Sequence, residues 1–260
     1  MIVKNTVSPL WALSTEALDH AAQRLAAILS KAPAGTEIFF RADDIGIPGN
    51  KCRQMMGVFC AHSVPLHMAV TPAWLGVSRW ETLKSWGEGA DIWCWHQHGW
   101  RHVNHQTSGK KGEFGTDRSR AAKKADIARG RAKLESIMGD DFRPVFTPPW
   151  NRFDAETGEI LAELGFTAVS RSAGEQKKVS LPDSLPDIPI NVDLHTRSEA
   201  DPAEGMDELL REFEIGMRDG RIGVMLHHQR MNDAAVYFLD ACLGIVAKTP
   251  ALVQLRINLL

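Results

Sequence analysis

Short strand-like runs alternate with helical patterns along most of this chain, and that alternation leaves few architectures open. The extended runs are Glu37 to Arg41, Leu66 to Val70, Asp91 to Trp95, Arg143 to Phe146, Thr167 to Ser170, Ile188 to Val192, Ile222 to Leu226 and Leu252 to Ile257. Between them, Ser14 or Thr15 caps a helix whose apolar stripe is Leu18, Ala22, Leu25 and Leu29. Asp117 to Met138 reads as a helix stopped by Gly139, and Asp154 caps another that Gly165 stops after Leu164. Further helical patterns run from about Ala203 to Arg218 and from Asp233 to Ala247. Strands separated by helix-length segments predict a parallel sheet covered by helices. With no linker-like shift in composition and no fixed repeat, residues 1–260 read as one domain, an α/β barrel or barrel-like fold. The stretch Ala173 to Asp187, with Pro182 and Pro186, reads as a surface loop.

Composition narrows the function classes without naming one. The chain is 44% hydrophobic and 24% charged, enough apolar residue for a sizeable core. A formal net charge of -2 argues against a general nucleic-acid or anionic-membrane binder. No run approaches the roughly 18 apolar residues that a membrane span requires. The start Met1-Ile2-Val3-Lys4-Asn5-Thr6 has no apolar core behind a basic end, so a cytoplasmic location is expected. Cys52, Cys60, Cys94 and Cys242 form no CxxC pair and read as reduced thiols.

In barrels of parallel strands, active sites lie at the C-terminal ends of the strands. Asp43 and Asp44, His98 and His102, His227 and His228, and the segment Phe146-Thr147-Pro148-Pro149-Trp150-Asn151-Arg152 all follow predicted strands. His98 and His102 are spaced i, i+4, so one helical turn would point both imidazoles the same way. Two imidazoles and one carboxylate make a three-ligand site that leaves a divalent metal a position for water. Such water has its pKa lowered toward about 7 and attacks amide or ester carbonyls. At a strand end adjacent side chains diverge, so one aspartate can ligate while its neighbour acts as base, and a histidine from a distant strand can protonate the leaving group.

Four segments together, Arg41-Ala42-Asp43-Asp44-Ile45-Gly46, His98-Gly99-Trp100-Arg101-His102, Thr147-Pro148-Pro149-Trp150 and Val224-Met225-Leu226-His227, resemble the ordered motifs of the NodB-type polysaccharide deacetylases. The resemblance spans about residues 37 to 230 and implies a distorted barrel of about seven strands, that is, a distorted (β/α)7-type barrel. It also implies metal-dependent removal of N- or O-acetyl groups from sugars, with zinc or another divalent cation as cofactor. By position, Asp44, His98 and His102 would bind the metal, Asp43 would be the base on the metal-bound water and His227 the acid. Pro149 and Trp150 would line the substrate groove, with Trp100, Arg152 and His228 as further substrate contacts. The sequence departs from the pattern in three places. Thr147 stands where the family has an arginine that braces the base, a role that Arg152 or Arg143 would have to fill. Asp193-Leu194-His195 is a loose counterpart of the segment that tunes the acid, and His228 follows the acid where the family commonly has aspartate.

The remaining features read as structural. His96 and His105 fit packing or supporting hydrogen bonds, Trp93 and Trp95 fit core, and the cations from Arg118 to Lys133 fit a solvated helix face. Two other functions stay open: hydrolysis of a non-sugar C–N bond on the same scaffold, and a degenerate carbohydrate-binding member. A 2-His-1-carboxylate iron oxygenase matches the ligand set, but the chain has no His-x-Asp pair.

Overall fold

Strand β1 (Thr36–Ile45) organises the molecule, and it is buried on both faces along nearly its whole length. Such two-sided burial explains why its sequence runs Ile-Phe-Phe rather than alternating, as strands of helix-covered parallel sheets do. The computed structural model describes residues 6–256. In chain order the remaining elements are α1 (Thr15–Leu29), α2 (Asn50–His62), β2 (Leu66–Val70), α3 (Val77–Trp86), β3 (Trp93–His98), α4 (Arg120–Met138), β4 (Phe142–Thr147) and α5 (Ala155–Glu163). They continue with β5 (Ala168–Val169), the short α6 (Ala173–Gln176), β6 (Val192–Asp193), α7 (Pro202–Arg218), β7 (Arg221–Leu226), α8 (Asp233–Ala247) and β8 (Leu252–Gln254).

All pairings are parallel, in the order β5-β4-β3-β2-β1-β7-β6, with β8 joining the start of β1. The curl almost closes: single parallel bridges link Val169 to Asp187 and Ser172 to Ile190, tying β5 to the segment that precedes β6. The result is the single-domain α/β fold expected from the alternation, a curled seven-stranded half-barrel of the distorted (β/α)7 type. Helices α1, α2, α7 and α8 pack their apolar faces on the sheet, forming one large core that includes Leu25, Phe59, Phe213 and Phe238. A second cluster around Phe114, Phe146 and Phe153 lies under the loops beside β4.

Several local readings change in the structure. The buried stripe of α1 uses Ala21 rather than Ala22, since Ala21 lies three residues after Leu18 and four before Leu25; the helix is capped by Ser14, whose side chain accepts from Ala17 N. The runs at 167–170 and 188–192 shorten to two-residue strands, since that seam of the barrel is held by isolated bridges instead of a ladder. The last run is a strand only over Leu252–Gln254, and Ile257 and the N-terminal residues 1–5 lie outside the described residues. Helices α2 and α3 carry weak periodicity and escaped the pattern reading. The cationic face of α4 is also not simply solvated: Lys123 is buried and paired with Asp154 and Glu156 at the start of α5. Trp95 is core and Trp93 packs against it, as the strand pattern predicted. Among the described residues no helix is long and apolar enough to cross a membrane.

Candidate active site

The end of β1 does two things at once. Its pairing with β2 loses register between Ala42 and Ile45, and Asp44 takes a left-handed conformation at φ 61. The twist sends the two neighbouring carboxylates in different directions, as expected at a strand end. Asp43 faces the barrel interior beside Arg41, which is two residues back and therefore on the same face of the strand. Arg41 Nε donates to Asp43 Oδ1 at 2.7 Å and Nη2 to Oδ2 at 2.8 Å, a bidentate fork with the guanidinium fully buried. The same guanidinium reaches Ser170 Oγ at the end of β5 and Asn151 Oδ1 after β4. Burial alone would raise the Asp43 pKa, but the charge of Arg41, then those of His98 and His227, hold it below the usual carboxylate range.

Arg41 thus fills the bracing place that Thr147 leaves empty, and the expectation that Arg152 or Arg143 would do so is corrected. Arg143 sits at the opposite end of β4 and donates to the carbonyls of Asp140 and Phe142. Arg152 is at the rim, paired with Glu175 at 3.2 Å. Thr147 itself is buried, its hydroxyl against His96 Nε2 at 2.9 Å.

His98 is the last residue of β3, and its partner His102 comes from the turn that follows. The i, i+4 spacing is realised without a helix: Gly99 at φ 56 and His102 at φ 57 fold the chain back sharply. The two imidazoles converge with ring centroids 5.3 Å apart. His98 Nδ1 donates to the Thr147 carbonyl at 3.0 Å, which leaves Nε2 as a bare lone pair. That lone pair lies 3.3 Å from Asp44 Oδ1, and His102 Nε2 lies 3.2 Å from the same oxygen. Asp44 Oδ1 is buried with no hydrogen-bond donor among the described residues.

Three electron-rich atoms facing one another, all within 4.8 Å, are a cation-shaped arrangement. Two nitrogens and one oxygen suit zinc or a similar divalent ion with an open position. Burial opposes the charge on Asp44, but the imidazoles of His98 and His102 beside it keep its carboxyl well below the usual range. Burial pushes His102 down to about 4, whereas the carboxylates of Asp44 and Asp43 overcome burial at His98 and raise it.

Across the cavity, His227 and His228 follow β7. The backbone N–H of His227 donates to His195 Nδ1 at 3.0 Å, so the buried His195 is the Nε2–H tautomer. Burial, with the charges of His227 and His228, drives His195 far below the usual histidine range, and burial lowers His228 to about 4. Gln229 Nε2 donates to the Asp44 carbonyl at 2.8 Å and links this turn back to β1.

These groups share a cavity of about 1320 Å³ at the C-terminal ends of the strands. Trp74 and Trp150 flank His102, with ring centroids at 5.9 Å and 4.3 Å. Asp43, Asp44, His98, His102, His227, His228, Trp150 and Arg152 all line the cavity, as the sequence placed them. Trp100 and Pro149 do not: both are buried behind the site, Trp100 among Phe114 and Phe153 with Arg129 over its ring, and Pro149 against Gly99. The tight turn at Gly99 rotates the next residue inward, which is why Trp100 leaves the groove wall. Backbone strain gathers here too. Of five non-glycine residues with positive φ among the described residues, four are Asp44, His102, Trp150 and Asn151, the clustering expected where function over-determines geometry.

Sequence reasoning gave no role to Arg41, Trp74 or Gln229. Arg41 had a readable signal, its i−2 position in a strand ahead of Asp43; the other two are placed by tertiary structure alone. His195, in the segment read as a loose counterpart of the one that tunes the acid, does meet the His227 backbone.

Comparison with known proteins gives the fold an address. The fold resembles a crystal structure from Mycobacterium smegmatis provisionally described as a polysaccharide deacetylase, at 18% identity and TM-score 0.58, covering 78% of this chain and 73% of that one. It also resembles a CE4 esterase from Streptococcus mutans, at 12% identity and TM-score 0.53, covering 86% and 85%. A CE4-family pseudoenzyme from Bacillus anthracis matches at 14% identity and TM-score 0.50, covering 80% and 59%. No curated protein matches. The family model described as polysaccharide deacetylase matches residues 32–169, just over half of the sequence and three of the four motif segments. The chain therefore belongs to the polysaccharide deacetylase family.

Proposed function

We propose that this protein is a metal-dependent deacetylase that removes acetyl groups from an N- or O-acetylated sugar or polysaccharide. The observation that carries the reading is the Asp44, His98 and His102 cluster, whose lone pairs meet beside an arginine-held Asp43 at the floor of one cavity. Asp44, His98 and His102 would hold a divalent cation such as zinc, which would supply Lewis acidity towards water and an acyl carbonyl.

The chain's own residues then divide the proton traffic. Asp43 is held as a carboxylate by Arg41 and is the general base: it takes a proton from the water that attacks the acetyl carbon. Collapse of the tetrahedral adduct breaks the bond to the sugar nitrogen or oxygen, and His227 gives that leaving atom its proton. Burial lowers His228 to about 4, which disfavours the imidazolium form that a general acid uses. His195, accepting from the His227 backbone, fixes the turn that presents the acid. Trp74 and Trp150 offer apolar faces on which a sugar ring stacks, and a cavity of about 1320 Å³ has room for more than one ring.

The test is release of acetate from acetylated oligosaccharides by zinc-loaded protein. Hydrolysis lost in Asp43→Asn and in His227→Ala, with zinc retained in both, is the expected result. Saccharide binding without acetate release, under any divalent metal tried, would instead fit a non-hydrolytic binding protein.

A further inference from the structure

The turn that delivers His102 is unusual in what holds it. Gly99 and His102 both have positive φ, and for histidine that conformation is unfavourable by about 1–2 kcal/mol. Two side chains reach this turn: Gln97 Nε2 donates to the Gly99 carbonyl at 2.9 Å, and Glu113 takes the two amides that follow. Its Oε2 accepts from Trp100 N at 3.1 Å and its Oε1 from Arg101 N at 2.7 Å, so both oxygens clasp consecutive amides immediately before His102. A Cβ at residue 99 would stand 2.2 Å from Glu113 Oε2, which shows how fully the carboxylate occupies the hollow of the turn.

Glu113 is itself anchored. It is completely buried, and the next residue, Phe114, is fixed in the second core cluster. Phe114 also bridges to Phe153, and its carbonyl accepts from Asp154 N at 3.1 Å. The intervening segment from Val103 to Lys111 is largely exposed, so the clasp, more than the loop path, connects His102 to the core.

We propose that Glu113 is a positioning residue of the metal centre, holding the 99–102 turn so that His102 meets Asp44 and His98 before any ion arrives. A carboxylate suits the place because each of its two oxygens accepts one of the two N–H groups. An amide at this position would turn its own NH2 on one of them. The inference rests on the metal site of the proposed function, but its test does not need hydrolysis.

Zinc affinity, measured on the full chain by competition with a chelator, reads the effect. Glu113→Gln is expected to bind zinc roughly ten- to hundredfold more weakly, as loss of an outer partner of a ligand does. In a His102→Ala background the same change is expected to cost little further affinity, because the ligand it positions is gone. Unchanged affinity in Glu113→Gln, or an equal loss with and without His102, overturns the proposal: the first denies any role, and the second marks a structural one. Should Glu113→Gln fail to fold, hydrogen exchange on the zinc-free wild type still decides. Slow exchange at the Trp100 and Arg101 amides is expected, and loop-like exchange there overturns a preformed clasp. A wild type that takes up no zinc fails the metal-site reading separately, in a sample without any substitution.

Discussion

Arg41 holds both oxygens of Asp43 from two residues back on the same strand, where the resemblance to the polysaccharide deacetylases placed the brace on β4. The two positions reach one point because the barrel interior is shared. A side chain from β1 can stand where one from β4 would, provided the vacated β4 position becomes small, and Thr147 is small. The guanidinium also touches Ser170 and Asn151, so it ties together the ends of three strands.

Replacing Arg41 should therefore act on rate more than on metal. Arg41→Met leaves Asp43 buried without its counter-ion, which destabilises by about 3–5 kcal/mol. Misplacing the base should lower kcat on the order of 100-fold. Zinc content should stay near one per chain, and Arg41→Lys should recover little, since an ammonium cannot make the bidentate fork. Full activity in Arg41→Met would show that Asp43 needs no brace.

The two aspartates should separate cleanly in a metal assay. Asp44→Ala and His98→Ala should each empty the site, whereas Asp43→Asn should keep the ion and lose about 10²–10⁴ in turnover. Exhaustive chelation of the wild type should match Asp44→Ala, and zinc should restore only the wild type. Equal zinc loss in Asp43→Asn and Asp44→Ala would sink the division of roles.

How much of this was legible in the sequence varies by physical cause. The strand–helix alternation and the convergence of Asp44, His98 and His102 were readable because they depend on order and spacing. The turn at His98 was misread as helical, since spacing alone does not distinguish a helix from two left-handed residues. The direction of Trp100 went wrong for the same reason. Residues that act through packing, such as Glu113 and Gln229, carry no local signature. Lys123 looked like one more solvated cation on a charged helix, and only the start of α5 reveals its partners.

Lys123 offers a check on that last point. Its ammonium is buried and shared between Asp154, which also caps α5 by accepting from Thr157 N, and Glu156. Lys123→Ala should destabilise by roughly 1–3 kcal/mol, through lost packing of the stem and lost hydrogen bonds to charged partners. Lys124→Ala, at an exposed ion pair with Glu163, should change little. Denaturant unfolding of both variants decides it, and equal effects would return Lys123 to the solvated face.

Stability should also fall in mild acid, for reasons visible inside the barrel. Burial holds His67 down to about 4 and His96 to about 3, against an ordinary 6.5. Both are neutral in the folded chain and protonated in the unfolded chain between those limits. The unfolded state then binds more protons, so stability is present above pH 6.5 and is lost as pH falls toward 4. Each such histidine adds a slope of about 1.4 kcal/mol per pH unit in that window. His96→Gln should remove about one proton from the slope of unfolding free energy against pH, whatever it does to stability at pH 7. A slope unchanged by that substitution would show that His96 already titrates in the folded protein.

The aromatic walls bear on substrate and not on the metal. Trp150 stands over the cavity beside His102, held there by its own left-handed backbone and by that of Asn151. A sugar stacked on its indole gains about 0.5–1.5 kcal/mol beyond the area buried. Trp150→Ala should thus raise KM for an acetylated oligosaccharide up to about tenfold, while zinc affinity stays within a few-fold. A small acetyl ester that makes no stacking contact should be hydrolysed almost as well by the variant as by the wild type. If both substrates suffered equally, Trp150 would be acting through His102 instead of through the sugar, and the zinc affinity of the variant would then have to fall as well.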